Sequence, residues 1–167
     1  ERFENFKNQP LIYHFPKKFN GTLKKVNNKR VKAAVIREKG SNSEREMAYA
    51  LDLAGFDVKD VHMTDLISGR ENLEEINFII AVGGFSNSDV LGSAKGWAGS
   101  FLYNEKAKKS LMNFYRRKNT LSLGVCNGCQ LFIELGLLHT EHKQKPYMTH
   151  NNSKKFECII TTIEIQK

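Results

Sequence analysis

From Val31 onward the chain alternates short apolar runs with segments whose apolar residues recur every three or four positions. Val31-Lys32-Ala33-Ala34-Val35-Ile36-Arg37 has the length and continuity of a strand buried on both faces. Ser43-Glu44-Arg45-Glu46 then has capping-box spacing, so a helix is expected to start there. Met47, Ala50, Leu51 and Ala54 share its apolar side, Gly55 supplies the stop, and residues 56–61 read as a second strand. Residues 77–82 form a third strand running into Gly83-Gly84. Helices are expected over residues 90–103 and 105–117, a fourth strand over 121–125, and a further helix over 127–137. Strands alternating with helices predict an α/β fold: an open parallel sheet with helices on both faces. Sites in such sheets lie beyond the carboxyl ends of the strands, which here brings residues 37–42, residues 83–89 and Cys126 to one edge.

Residues 1–30 have no such period. They hold two of the three prolines, Pro10 and Pro16, and five scattered aromatics, Phe3, Phe6, Tyr13, Phe15 and Phe19. An extended linker or arm lying along another surface is expected, with the globular unit spanning 31–167. The arm also explains the charge. Of the formal +8, most sits in residues 1–30, where eight Lys/Arg face two Glu, and the rest of the chain is close to neutral. The domain itself is therefore not expected to bind nucleic acid; a nucleic-acid binder working through the arm is the minor alternative, tested by the salt sensitivity of its affinity. No run approaches the roughly 18 apolar residues of a membrane span, and no membrane partner is expected. Three cysteines, an odd number, do not suggest a disulfide framework and fit a reducing, cytoplasmic compartment. The chain starts without Met and stops in an apolar, β-rich stretch over residues 159–165, so a piece of a longer protein is expected.

The chemistry is concentrated in Gly124-Val125-Cys126-Asn127-Gly128-Cys129-Gln130. Gly-x-Cys-x-Gly between an apolar strand and a helix has the form of a nucleophile elbow with Cys in place of Ser. A sharp strand-to-helix turn holds the nucleophile in a strained backbone conformation, and Gly124 and Gly128 leave room for it. The turn lifts the thiol clear of the sheet at a helix N-terminus, where the dipole favours the reactive thiolate and the Asn127 N–H can face a developing oxyanion. A free cysteine is more often a small buried hydrophobe; the two glycines and the strand-helix context argue against that for Cys126. Cys129, three residues into the helix, is expected to face away and pack. Cys126 and Cys129 also form a C-x-x-C, and a thiol redox α/β domain is the main alternative. Zinc is disfavoured, since Cys158, His139, His142 and His150 show no paired ligand spacing; no metal site is expected. The loop Gly83-Gly84-Phe85-Ser86-Asn87-Ser88-Asp89 follows a neighbouring strand and could provide the second half of an oxyanion hole.

These segments, with Asp60-Val61-His62-Met63-Thr64-Asp65-Leu66 and Arg37-Glu38-Lys39-Gly40, occur in the order found in a known family. Together they resemble the class I glutamine amidotransferase domain of phosphoribosylformylglycinamidine synthase over about residues 31–156. The resemblance implies a flavodoxin-like domain that releases ammonia from glutamine and passes it to a synthase domain of the same parent chain. That domain uses ATP and magnesium to make formylglycinamidine ribonucleotide in purine biosynthesis; no cofactor is implied for this chain. Cys126 would carry the γ-glutamyl thioester. Gly84 or Phe85, with Asn127, would supply oxyanion-hole N–H groups, and Gln130 would help hold glutamine. Asn151, Ser153 and Phe156 fall in a stretch resembling the family's glutamine-pocket segment, although residues 145–150 depart from the family's usual forms. Asn8-Gln9-Pro10-Leu11 resembles the end of the linker from the synthase domain. The family's triad runs Cys, His, Glu, with His and Glu expected beyond Lys167. His139, His142 and His150 match neither position, so these residues alone are expected to be inactive as a glutaminase.

Overall fold

The computed structural model describes residues 30–159. The arm over residues 1–29 and the β-rich stretch from residue 160 lie outside the described residues.

Four strands form a parallel sheet: β1 (Lys32–Arg37), β3 (Asp57–His62), β4 (Phe78–Ala81) and β6 (Leu121–Gly124), in the order β3-β1-β4-β6. The register places Val35 beside Asp60 on one side and Ile80 on the other, and Ala81 beside Gly124. Counting only these strands, the order is 2-1-3-4, that of the flavodoxin-like doubly wound sheet, with its switch point between β1 and β4. Alternate side chains feed two cores. Ala33, Val35, Ile80 and Val82 face Leu51 of helix α1 (Glu44–Leu53). Ala34, Ile36, Ile79 and Ala81 face α2 (Met63–Ser68), α3 (Lys95–Leu102), α4 (Glu105–Arg116) and α5 (Asn127–Glu134), through Leu66, Trp97, Phe101, Phe114 and Leu131. Apolar runs without alternation are what a strand covered on both sides requires.

The second core carries the larger share of aromatic volume, and Trp97 is fully buried in it. Trp97→Ala is expected to destabilise the protein by about 3–5 kcal/mol. Because this removes the only tryptophan, urea unfolding followed by far-ultraviolet circular dichroism is the suitable measurement.

Several local expectations are corrected. The capping box fails although the helix forms where it was placed: Ser43 sits at φ 74° and makes no side-chain cap bond, because the left-handed backbone carries its hydroxyl away from the first-turn N–H groups. The helix stop at Gly55 holds, and its mechanism is visible. Phe56 N–H donates to Leu51 O and Gly55 N–H to Asp52 O, the paired bonds of a Schellman motif, with Gly55 at φ 90°. The helix expected over 90–103 is reduced to Lys95–Leu102, since Gly92, Ser93 and Ala94 all have positive φ and break any helix before Lys95. The final helix ends at Glu134, not residue 137, closed by Gly136 in a second Schellman motif. Helix α2 was not foreseen. At six residues it is too short to show a period, and its N-cap is the ring of His62, which accepts from Thr64 N–H. Also new is a two-stranded antiparallel pair, β2 (Ser41–Asn42) with β5 (Gly83–Gly84), lying over the switch point.

Candidate active site

The four strands deliver their loops to one edge, and β2 with β5 ties two of those loops together. Gly40 and Gly84 make this possible. A Cβ on Gly84 would lie 2.6 Å from Asn42 N, and one on Gly40 would lie 2.4 Å from Phe85 O, so backbone meets backbone with no space for a side chain. Phe85 N–H donates to Gly40 O at 3.0 Å. Successive residues of an antiparallel strand direct their N–H groups to opposite edges; with Phe85 turned to β2, Gly84 N–H is directed away from β2.

Cys126 stands between β6 and α5 at φ 55°, ψ −112°. This region is disfavoured for any residue with a Cβ and costs roughly 1–3 kcal/mol. Bonds on both sides hold it. Val125 N–H donates to Ala81 O at 3.0 Å, Gly128 N–H to Val125 O at 2.9 Å, and Cys126 O accepts from Cys129 and Gln130 N–H. The flanking glycines have distinct reasons to be there. A Cβ on Gly124 would come within 2.6–2.8 Å of Gly128 O and the Cys129 backbone, whereas one on Gly128 would lie 2.0 Å from Ala81 O on β4. Neither clash is with Cys126 itself, as the sequence pattern alone had suggested; Gly128 lets α5 approach the sheet. Gly83 lines the thiol, since a Cβ there would lie 3.2 Å from Cys126 Cβ and 3.6 Å from Sγ.

Asn127 is only 2% exposed and Ser86 likewise 2%. Ser86 Oγ donates to Asn127 Oδ1 at 2.7 Å, and Asn127 Nδ2 donates to Gln130 Oε1 at 2.9 Å. A buried polar chain therefore joins the glycine loop to the first turn of α5. With Oε1 engaged, Gln130 has its Nε2 hydrogens to offer a ligand. After Ser86 the loop is strained: Asn87, Ser88 and Asp89 all lie at φ of 51–56°, and left-handed backbone costs roughly 1–2 kcal/mol per residue.

On the other side of the switch point Glu38 is buried. Its Oε1 accepts from Lys39 N–H at 2.7 Å and its Oε2 from Ser100 Oγ at 3.2 Å, which anchors the loop after β1 to α3. Arg37 beside it makes a forked pair with Asp60, with Nε 2.8 Å from Oδ1 and Nη2 3.0 Å from Oδ2. Hydrogen bonding to Asp60 pushes the guanidinium pKa above its ordinary value.

The sequence-predicted residues thus fall into two groups. Gly84, Phe85, Gly124, Cys126, Asn127, Gly128 and Gln130 converge. Asn151, Ser153 and Phe156 lie apart in an exposed turn, where Asn151 Nδ2 and Ser153 Oγ bond to Lys155 O and Phe156 is 89% exposed. His139, His142 and His150 are exposed, and the bonds of His142 are local, to Gln144. Cys129 is exposed and free, not packed as expected; its backbone lies beside Gly124 at the end of β6, a strand that is itself largely exposed. Sequence reasoning missed Ser86 and Gly83. Both lie within the glycine loop it singled out, but nothing in the pattern pairs a serine with an asparagine 41 positions later. Among the described residues no group of three or more His, Cys, Asp or Glu could hold a metal, and no helix is long and apolar enough to cross a membrane.

The fold and the site together give an α/β domain with a flavodoxin-ordered sheet and a strained cysteine elbow beside a glycine loop. Residues 30–167 match the CobB/CobQ-like glutamine amidotransferase domain, and the chain belongs to that family. It is also similar to a chain in a solved structure described as the structure of PurLQS from Thermotoga maritima, with 30% sequence identity and a TM-score of 0.61. The match covers 78% of this chain and 53% of that one, so the chain spans about half the length of the relative it matches. The dithiol alternative finds no support in either comparison.

Proposed function

We propose that this chain is the glutaminase part of a phosphoribosylformylglycinamidine synthase, taking the amide nitrogen of glutamine for a ligase reaction in purine biosynthesis. The observation that carries this reading is the Cys126 backbone at φ 55°, ψ −112°, beside Gly83 and at the head of α5, within a chain of the glutamine amidotransferase family.

The Cys126 sulfur attacks the side-chain carbonyl carbon of glutamine, and the carbonyl oxygen takes the electron pair. Gly84 and Asn127 N–H groups stabilise that oxygen; such a donor is worth on the order of 3 kcal/mol in the transition state. Phe85, whose N–H is held by Gly40 O, is left out of this role. As the intermediate collapses, the C–N bond breaks, the thiol proton passes to the leaving nitrogen, and ammonia departs from a γ-glutamyl thioester. Water then releases glutamate. Gln130 offers its Nε2 hydrogens to an oxygen of the bound glutamine; Asn151, Ser153 and Phe156, which the resemblance assigns to the glutamine pocket, stand apart from Cys126 in this structure and are given no part in the step. A synthase domain, using ATP and magnesium, consumes the ammonia. A cytoplasmic setting suits three free cysteines.

In the holoenzyme carrying this chain, glutamine labelled with ¹⁵N at the side-chain amide is expected to place the label in the amidine of formylglycinamidine ribonucleotide. Incorporation from ammonium alone, with glutamine inert, would refute the proposal.

A further inference from the structure

We propose that Ser86 is a positioning residue for glutamine hydrolysis, holding the glycine loop and the head of α5 at the separation the oxyanion requires. The inference rests on the amidotransferase reading above and extends it to a residue that contributes no atom to the reacting groups.

The two proposed donors come from different elements. Gly84 belongs to the loop after β4 and Asn127 to the first turn of α5, so their spacing is only as fixed as the link between those elements. Backbone bonds tie the glycine loop to the loop after β1 (Phe85 to Gly40), close the elbow (Gly128 to Val125) and join the end of β4 to the residue before Cys126 (Val125 to Ala81), but none of these reaches Gly84 and Asn127 themselves. The direct side-chain bond across the gap is Ser86 Oγ to Asn127 Oδ1, at 2.7 Å, between two residues each 2% exposed. In a site closed to water the bond does not compete with solvent and has one geometry. It is followed by Asn127 Nδ2 to Gln130 Oε1, so the same hydroxyl fixes which way the Asn127 amide faces and thereby which end of Gln130 is free. The loop also needs the restraint. The three residues after Ser86 stand at positive φ, and Asn87 Oδ1 and Asp89 Oδ1 are buried without partners among the described residues. A segment with that much unrelieved strain relaxes when its anchor is removed.

The test is steady-state glutaminase kinetics of the holoenzyme carrying Ser86→Ala, with Ser86→Thr as the variant that keeps the hydroxyl. A displacement of the donors by a fraction of an ångström to 1 Å is expected to lower kcat roughly 10- to 100-fold, with KM within about threefold of wild type. Alkylation of Cys126 by iodoacetamide, which needs no oxyanion hole, is expected to proceed at the wild-type rate in both variants. Ser86→Thr is expected to restore kcat to within about threefold. A kcat for Ser86→Ala within twofold of wild type overturns the inference. So does a fall in kcat matched by the same fall in iodoacetamide reactivity, which marks general damage to the elbow, or a Ser86→Thr variant as slow as Ser86→Ala. If the wild-type holoenzyme hydrolyses no glutamine, the amidotransferase reading itself fails and takes this inference with it.

Discussion

Cys126→Ala in the holoenzyme is expected to lower glutamine-dependent turnover by roughly four to six orders of magnitude, the usual consequence of removing a covalent nucleophile. Ammonia-dependent turnover should stay at the wild-type level, because free ammonia bypasses the thiol. The variant should also fold as well as the parent: alanine meets the same backbone penalty at φ 55°, ψ −112° as cysteine. Cys126→Gly should go further and gain about 1 kcal/mol or more of stability, since glycine relieves the strain that any Cβ suffers there. Measured together by turnover and urea unfolding, the pair separates the chemistry of the side chain from the cost of its conformation. A Cys126→Ala enzyme that still used glutamine at a tenth of the normal rate would remove the thiol from the mechanism.

Gly128→Ala should be the most damaging single-methyl change in the domain. Helix propensity alone would favour alanine by about 1 kcal/mol. The added Cβ, however, would lie 2.0 Å from Ala81 O and 2.4 Å from Ala81 C, both backbone atoms of a central strand that cannot turn aside. Sterics win, and α5 must withdraw from β4. A loss of about 3 kcal/mol or more is expected in urea unfolding, beyond the usual range for overpacking because no side chain can rotate to absorb it. Gly99→Ala on α3 is the matched control. There the nearest atom outside the helix backbone is a Tyr103 ring carbon at 3.7 Å, and the same methyl should stabilise by about 0.5–1 kcal/mol. Equal effects at the two positions would show that α5 is not seated as tightly as its geometry implies.

How much of this could be read from sequence depended on the range of the interaction concerned. The two central strands were legible because burial on both faces leaves unbroken apolar runs, as in residues 33–36 and 79–82; β3 and β6 are largely exposed and were legible from their place between helical segments. The elbow was legible because its pattern falls within five residues, although the contact that requires Gly128 is with Ala81 on β4. Local pattern failed where a backbone angle overruled it: Ser43 has the right neighbours for a cap but the wrong φ. It failed again at α2, whose cap is an imidazole and whose length gives no period. It could not reach Ser86 and Asn127 at all, since their pairing exists only once β4 and β6 lie side by side. Nor could it show that Phe85 N–H is occupied, which depends on the β2–β5 pairing that no run of two residues announces.

The crossing of Gly40 over Phe85, and of Gly84 over Asn42, also limits how this edge of the protein can be altered. Each contact is backbone against backbone, so no exchange of side chains elsewhere can compensate for a larger residue at either glycine. Divergence or engineering at the mouth of the site is channelled into positions whose side chains leave the crossing, such as the exposed Phe85, Ser88 and Val90. The rim can be rewritten freely while the cradle beneath it cannot drift by as much as one methyl group.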